Sequence, residues 1–172
     1  MTETCLQIPL DRLFENGFST GHGYLREPNS IISYSALACI AIQSNQNDMH
    51  GGQSVPAFDY YMAPGVAKTM ITELVKVIDT RYDDIDIDAL KSELKGVQKE
   101  HKLILNDAVK EKIKDICVKY ISKLSSNAFN KLWEKALKYA DKATHQAMEA
   151  LIHNLNSMHS RAGSQVTGAV SL

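Results

Sequence analysis

Residues 44–66 read SNQNDMHGGQSVPAFDYYMAPGV and lie between two apolar patterns with helical spacing. The stretch combines amide side chains, the Gly51-Gly52 pair, two prolines and three aromatic residues. Most connections in compact domains run about 4–6 residues, and longer ordered ones tend to carry function. We therefore expect this segment to line an interior or ligand-facing surface.

The Gly51-Gly52 pair suggests what such a segment would bind. Glycine adopts positive φ and lets the backbone approach a bound sugar or phosphate closely. Amide, hydroxyl and imidazole groups surround the pair, so the sequence predicts a nucleotide-binding set made of Asn47, His50, Gly51, Gly52, Gln53 and Ser54. The alternative is a helix–loop–helix corner whose polar side chains bond their own backbone.

Charge and cysteine usage exclude several classes of protein. The 172 residues carry 19 Lys and Arg against 20 Asp and Glu, which predicts no nucleic-acid partner and no membrane-binding patch. No apolar run approaches the length of about 18 residues that crosses a membrane. The three cysteines form no CxxC pair and the histidines have no ligand spacing, so we predict no metal site and a cytoplasmic location.

Periodicity and capping residues predict a mainly helical chain. A short strand at 5–8 and a helical turn at 11–16, ended by Gly17, come before a loop at 19–29. The helix at 31–43 is apolar on nearly every side, which predicts burial all round, and Asn29 or Ser30 suits its N-cap.

Four more helices are predicted in the rest of the chain. They are 64–79 with Pro64 in its first turn, a helix ending near Val97 and capped by Asp86 or Asp88, a helix capped by Asn106 or Asp107, and 128–158. The last pattern spans about four heptads, but an Ala-rich seam broken by Thr144 favours a packing helix over a coiled coil.

Other reactive residue types have ordinary structural interpretations. Cys39 lies in the apolar helix and Cys117 on a helical stripe, so both are expected in the core. The turn at His159, Ser160 and Arg161 suits either a phosphate contact or an exposed charged surface.

Three stretches in order resemble the anaerobic (class III, glycyl-radical) ribonucleoside-triphosphate reductases. They are CLQIPLDRLFENGFSTGHGYLREPNSI from Cys5 to Ile31, the 44–66 stretch, and SMHSRAGSQV from Ser157 to Val166. The resemblance implies a helical part of the N-terminal portion of a ten-stranded α/β barrel. It also implies an internal fragment, with residues 1–166 as partial catalytic-barrel domain and 167–172 as an atypical tail.

The resemblance also implies chemistry. Such enzymes reduce ribonucleoside triphosphates to deoxyribonucleotides with formate as reductant, using a glycyl radical made by a radical-SAM activase. They form homodimers, respond allosterically to ATP and dNTP effectors, and carry a C-terminal zinc site. One cysteine becomes a thiyl radical, and a second, on an early barrel strand, assists it. TETC, residues 2–5, is similar to the place of that second cysteine, so Cys5 is the expected catalytic residue.

Two other functions remain open, because the segments expected to carry the glycyl radical, the radical cysteine and the zinc cysteines are not in this sequence. We expect the chain alone to be inactive. It would then act as a helical dimerisation and nucleotide-effector-binding module without chemistry, or as a plain helical adaptor that binds no nucleotide. For Cys5, the alternative role is that of a small buried hydrophobic residue.

Overall fold

The computed structural model describes residues 5–19, 23–48, 51–100 and 105–157. These residues form short strands and six helices, in the order β1 Cys5–Gln7, α1 Leu10–Asn16, β2 Phe18–Ser19, β3 Tyr24–Leu25, α2 Ile31–Asp48, β4 Gly52–Ser54, α3 Phe58–Asp79, α4 Ile87–Glu100, α5 Asp107–Tyr120 and α6 Ser126–Ser157. The predicted mainly helical class is confirmed. The chain divides into unit 1, residues 1–62 and 144–172, and unit 2, residues 63–143.

Unit 1 is assembled from short elements around α2. The ring of Phe14 on α1 packs edge to face on Tyr34 of α2, with centroids 5.0 Å apart at 72°. A second cluster joins Cys39 of α2 to Leu151 and Leu155 of α6. The hydroxyl of Ser30 accepts the backbone N–H of Ser33 at 3.3 Å, which confirms it as the N-cap of α2.

Two small strand pairs complete unit 1. Strand β1 pairs in parallel with β4, and β2 pairs antiparallel with β3. Gly17 ends α1 with φ +70°, and a Cβ there would collide with the carbonyl oxygen of Leu25. The β2–β3 pair lies in the segment predicted as a loop, so that prediction was wrong at residues 19, 24 and 25.

Unit 2 is built on one continuous apolar core from four helices. Its fully buried side chains come from α3, α4, α5 and α6: Met70, Leu74, Ile78, Leu90, Leu94, Ile113, Cys117, Phe129 and Leu132. Asp86, Asn106 and Ser125 accept backbone N–H groups three residues on, at 3.0, 2.9 and 3.2 Å. The predicted caps Asp86 and Asn106 are confirmed. The shared core packs the four helices α3, α4, α5 and α6 against one another.

The structure corrects the predicted extent of the irregular segment. Helix α2 continues through Ser44 to Asp48, and α3 begins at Phe58, so Pro64 lies inside α3 rather than in its first turn. Proline in a helix removes one bond to the carbonyl four residues earlier. That carbonyl belongs to Tyr60, a residue that is 72% exposed.

Helix α2 is also less buried than predicted. Ile32 is 57% exposed, and Ala36 is exposed as well, so one side of the helix in this chain faces outward. Apolar composition alone does not decide burial, because about half of a folded surface is apolar.

Candidate functional site

The parallel pairing of β1 with β4 brings two sequence-predicted segments together. Cys5 is the register partner of Gly52, Leu6 of Gln53, and Gln7 of Ser54. The backbone N–H of Ile8 also donates to the Ser54 carbonyl at 2.9 Å. Parallel strands need a crossover between them, and α1, the β2–β3 pair and α2 supply it. The thiol-bearing segment and the glycine-containing segment are therefore neighbours in unit 1.

The two adjacent glycines play different parts. Gly51 has φ +121°, a conformation that side chains with a Cβ rarely adopt. Gly52 has no positive φ and stands in β4, where a Cβ would meet nothing within 4 Å. The positive φ expected of the pair therefore belongs to Gly51. Gly52 leaves open space beside the backbone, which is what a close ligand approach requires.

The side chain of Gln53 ties β4 to the last turns of α2. The Asn45 amide donates to Gln53 Oε1 at 2.9 Å. Rotating the Gln53 amide by half a turn exchanges that bond for two others, in which its nitrogen donates to the Ile42 carbonyl at 3.1 Å and its oxygen accepts from Gln46 N–H at 3.2 Å. Those two backbone groups lie four residues apart on one helical turn. The Gln53 amide therefore bonds to both ends of that turn, with its nitrogen as donor and its oxygen as acceptor.

Helix α2 carries one buried side-chain donor that has no partner among the described residues. Gln43 Nε2 is inaccessible to solvent and has no hydrogen-bond partner among the residues that the structure describes. A buried unpaired donor costs about 1–3 kcal/mol, so such groups usually find an acceptor.

Gly51, Gly52 and Ser54 are exposed and Gln53 is half-buried.

Of the other predicted site residues, the structure describes some and not others. Asn47 lies in the last turn of α2, and Cys5 begins β1. His50 and the turn at residues 159–161 lie outside the described residues. The prediction that residues 44–66 face a ligand or an interior concerns the intact enzyme and stays a prediction.

The two helical cysteines lie in the core, as predicted. Cys39 and Cys117 are buried, and burial raises the pKa of both thiols, that of Cys117 to about 12. A thiol with a raised pKa forms little thiolate and is a poor nucleophile. These two residues are structural.

The described ranges hold neither a cluster of metal ligands nor a membrane-spanning helix. Within 5–19, 23–48, 51–100 and 105–157, no three His, Cys, Asp or Glu side chains are grouped to hold a metal ion. None of the helices in those ranges is long and apolar enough to cross a bilayer.

The contacts that join the β1 and β4 segments to each other and to α2 could not be read from the sequence. Nothing in the three residues of β4, Gly-Gln-Ser, indicates a strand, because none is a strong strand former. The bonds between Gln53 and α2 join residues separated by a turn and had no sequence signal.

Comparison with models of known protein families identifies a match. A family model described as "Anaerobic ribonucleoside-triphosphate reductase" matches residues 1–167. No curated protein matches the sequence significantly.

Proposed function

Because the chain belongs to the anaerobic ribonucleoside-triphosphate reductase family, we propose that its β1–β4 pair forms part of the site where a ribonucleoside triphosphate is reduced. In this proposal Cys5 supplies a thiol to the reduction, and residues 51–54 lie against the nucleotide. The observation that carries the proposal is the register of the strand pair, which sets Cys5 opposite Gly52.

The backbone at β4 suits the sugar of a nucleotide. Gly52 presents open space where a side chain would otherwise stand, and Ser54 adds an exposed hydroxyl. Cations are absent from residues 51–57, and the groups there are neutral donors and acceptors. Neutral hydrogen-bonding groups match ribose hydroxyls, whereas phosphates call for cations or helix N-termini. We therefore assign the ribose to β4, whereas the N-terminus of α3 at Phe58, directly after this segment, would suit a phosphate.

Gln53 positions the strand in this proposal. In the rotated orientation of its amide, its bonds to the Ile42–Gln46 turn hold β4 to α2, and the ladder then holds β1 to β4. A reacting group misplaced by about 1 Å can lose a hundredfold in rate, so such support matters. The thiol of Cys5 suits the chemistry because its S–H bond is weaker than an O–H bond and sulfur gives up one electron readily.

The family carries further expectations that belong to the same proposal. They are reduction by formate, a glycyl radical installed by a radical-SAM activase, allosteric ATP and dNTP effectors, and a homodimer. The described residues hold no donor cluster for zinc, so no role for zinc is assigned to them.

The binding half of the proposal is tested on the full chain. We expect CTP to bind the wild type, and Gly52→Val to weaken it at least about tenfold, because the new side chain fills the space beside the strand. The unfolding temperature of Gly52→Val should stay near the wild-type value, since β-branched residues suit strands.

Gly96→Val in α4 is the control variant. Its Cβ also meets nothing within 4 Å, and it lies in unit 2. Undiminished CTP affinity in Gly52→Val, or an equal loss in both variants, would count against nucleotide binding at β4.

A further inference from the structure

Helix α3 contains a proline and a glycine in adjacent positions near its start. The helix runs from Phe58 to Asp79, with Pro64 and Gly65 inside it. Proline has no N–H, so the helical bond to the carbonyl of Tyr60 is missing, and proline and glycine are the two poorest helix formers. The backbone of α3 is therefore weakest at this pair.

The buried hydroxyl of Thr69 weakens the helix at the same pair. It donates to the carbonyl oxygen of Gly65 at 2.8 Å, and Thr69 is 6% exposed. A threonine hydroxyl that bonds to the carbonyl four residues earlier slightly destabilises a helix and often bends it. Bending of α3 is thus favoured at Pro64 and Gly65.

The residue that precedes α3 is strained. Ala57 has φ +50°, a left-handed conformation that is unfavourable for a residue with a Cβ. Residues 58–63, which we call the α3 flap, therefore lie between a strained residue and a proline–glycine pair.

The flap and the rest of α3 differ in their packing. In the flap, Phe58 is half-buried and packs against the cluster that contains Cys39, and Met62 is buried. Beyond Gly65, Met70 and Ile78 are fully buried in the unit 2 core. A segment with fewer buried apolar contacts opens at a lower free energy than the core.

We propose that the α3 flap opens independently of the rest of α3, with Pro64–Gly65 as its hinge. A hinge is a short segment that absorbs changes in φ and ψ while the elements beside it stay intact. Opening gives up the contacts of Phe58 and Met62 and releases the strain at Ala57. The unit 2 core stays closed.

The flap follows the candidate site along the chain. It begins at Phe58, four residues after Ser54, the last residue of β4. Opening lets the chain that leaves β4 change direction, whether or not a nucleotide binds to that strand. The inference goes beyond the proposed function and does not rest on it.

Hydrogen exchange of the full chain at increasing urea concentrations tests the proposal. In an α-helix the N–H groups of residues 62, 63 and 65–67 bond to carbonyls of the flap. We expect these flap amides to exchange at least about tenfold faster than those of residues 74–78, with little dependence on urea, because local opening exposes little surface. Exchange at residues 74–78 should rise steeply with urea, because it requires unit 2 to unfold.

Two alanine variants of α3 locate the hinge. Pro64→Ala restores the bond to the Tyr60 carbonyl and should slow exchange of the flap amides about tenfold or more. Thr72→Ala is the matched control, because Thr72 is exposed two turns farther along α3 and its hydroxyl donates to the Lys68 carbonyl at 2.9 Å. Alanine there stabilises α3 beyond the hinge, so exchange should slow at residues 74–78 and change less than about twofold in the flap.

Any one of three results would overturn the proposal. The first is flap amides that exchange as slowly as residues 74–78 and with the same dependence on urea. The second is unchanged flap exchange in Pro64→Ala, which would mean that the proline is not the hinge. The third is equal slowing of the flap and of residues 74–78 in Thr72→Ala, which would mean that the flap opens only when unit 2 unfolds.

Discussion

The internal contacts that stabilise unit 2 differ in kind from those that stabilise unit 1. Unit 2 has helices with apolar stripes, side-chain caps and one continuous core. Unit 1 combines smaller apolar contacts, Phe14 on Tyr34 and Cys39 with Leu151 and Leu155, with a three-residue strand pair, a positive-φ glycine and an amide that bonds a helical turn. The apolar core of unit 2 thus follows from periodic sequence patterns, whereas the candidate site at β1 and β4 forms through contacts between separate segments. Substitutions in unit 2 should change stability, and those in the strand pair should change local order and binding.

The largest effect is expected in the core of unit 2. Phe129 is fully buried and its ring lies 5.9 Å from that of Trp133, so Phe129→Ala should lower the free energy of unfolding by about 4 kcal/mol. Urea unfolding followed by Trp133 fluorescence measures the loss. Leu137→Ala on the same helix is the control, because Leu137 is 48% exposed and should lose less than about 1 kcal/mol. Equal losses would mean that the core is not where the structure has it.

A pH effect of intermediate size follows from Cys117. Burial raises the pKa of this thiol in the folded state from its ordinary value of 9.0 to about 12. The folded state holds the proton more tightly, so the stabilisation is complete below pH 9 and is lost as the pH rises toward 12. At pH 10.5 the loss should be about 2 kcal/mol.

Cys117→Ala provides the comparison for that pH effect. The variant is less stable at pH 8, but its stability should fall by about 2 kcal/mol less than that of the wild type between pH 8 and 10.5. Urea unfolding at the two pH values gives both differences. Parallel pH profiles for wild type and variant would remove Cys117 as the cause.

A smaller, local effect is expected in unit 1. Gln53→Leu removes the amide that bonds the Ile42–Gln46 turn and should cost about 1–2 kcal/mol. Hydrogen exchange at the Gln46 backbone amide should quicken, while exchange in α5 stays unchanged. Ser54→Ala, next along β4, is the control. Equal exchange at Gln46 in Gln53→Leu and wild type would mean that Gln53 does not support the end of α2.

The smallest effect concerns backbone strain in unit 2. Lys123 has φ +63° in the turn between α5 and α6, a conformation that glycine adopts without penalty. Lys123→Gly should raise the free energy of unfolding by up to about 1 kcal/mol, after the entropy that glycine adds to the unfolded chain. Lys119→Gly inside α5 should do the opposite. A loss of stability in Lys123→Gly would contradict the strained turn.

The sequence predicted unit 2 better than unit 1 for a physical reason. The stripe of α5 and the cap Asn106 are local signals, and both are confirmed. The end of α2 was misplaced because Ser44–Asp48 are poor helix formers by themselves, and bonds from Gln53 to that turn arise only in the folded chain. Pro64 was misplaced because proline favours the first turn of a helix, whereas α3 begins at Phe58 and tolerates the lost bond to the carbonyl of Tyr60, a residue that is 72% exposed.

The sequence predicted the individual residues of the candidate site but not the strand pairing that brings them together. Cys5 and Gly52 were chosen separately, and neither carries a signal for pairing with the other, since a register is set by the whole fold. Family resemblance supplied the identity of the thiol. The structure shows that Gly52 is the register partner of Cys5.

The central claim is that Cys5 takes part in the reduction, and Cys5→Ser in an intact family member carrying this stretch tests it most directly. Serine is nearly isosteric, so nucleotide binding should be unchanged, but its O–H bond is too strong to replace the thiol in radical chemistry. The glycyl radical, measured by electron paramagnetic resonance, and the deoxyribonucleotide product are quantified in the same sample. The account predicts a normal radical and no product. A normal radical with normal product would contradict it and leave Cys5 as a structural residue.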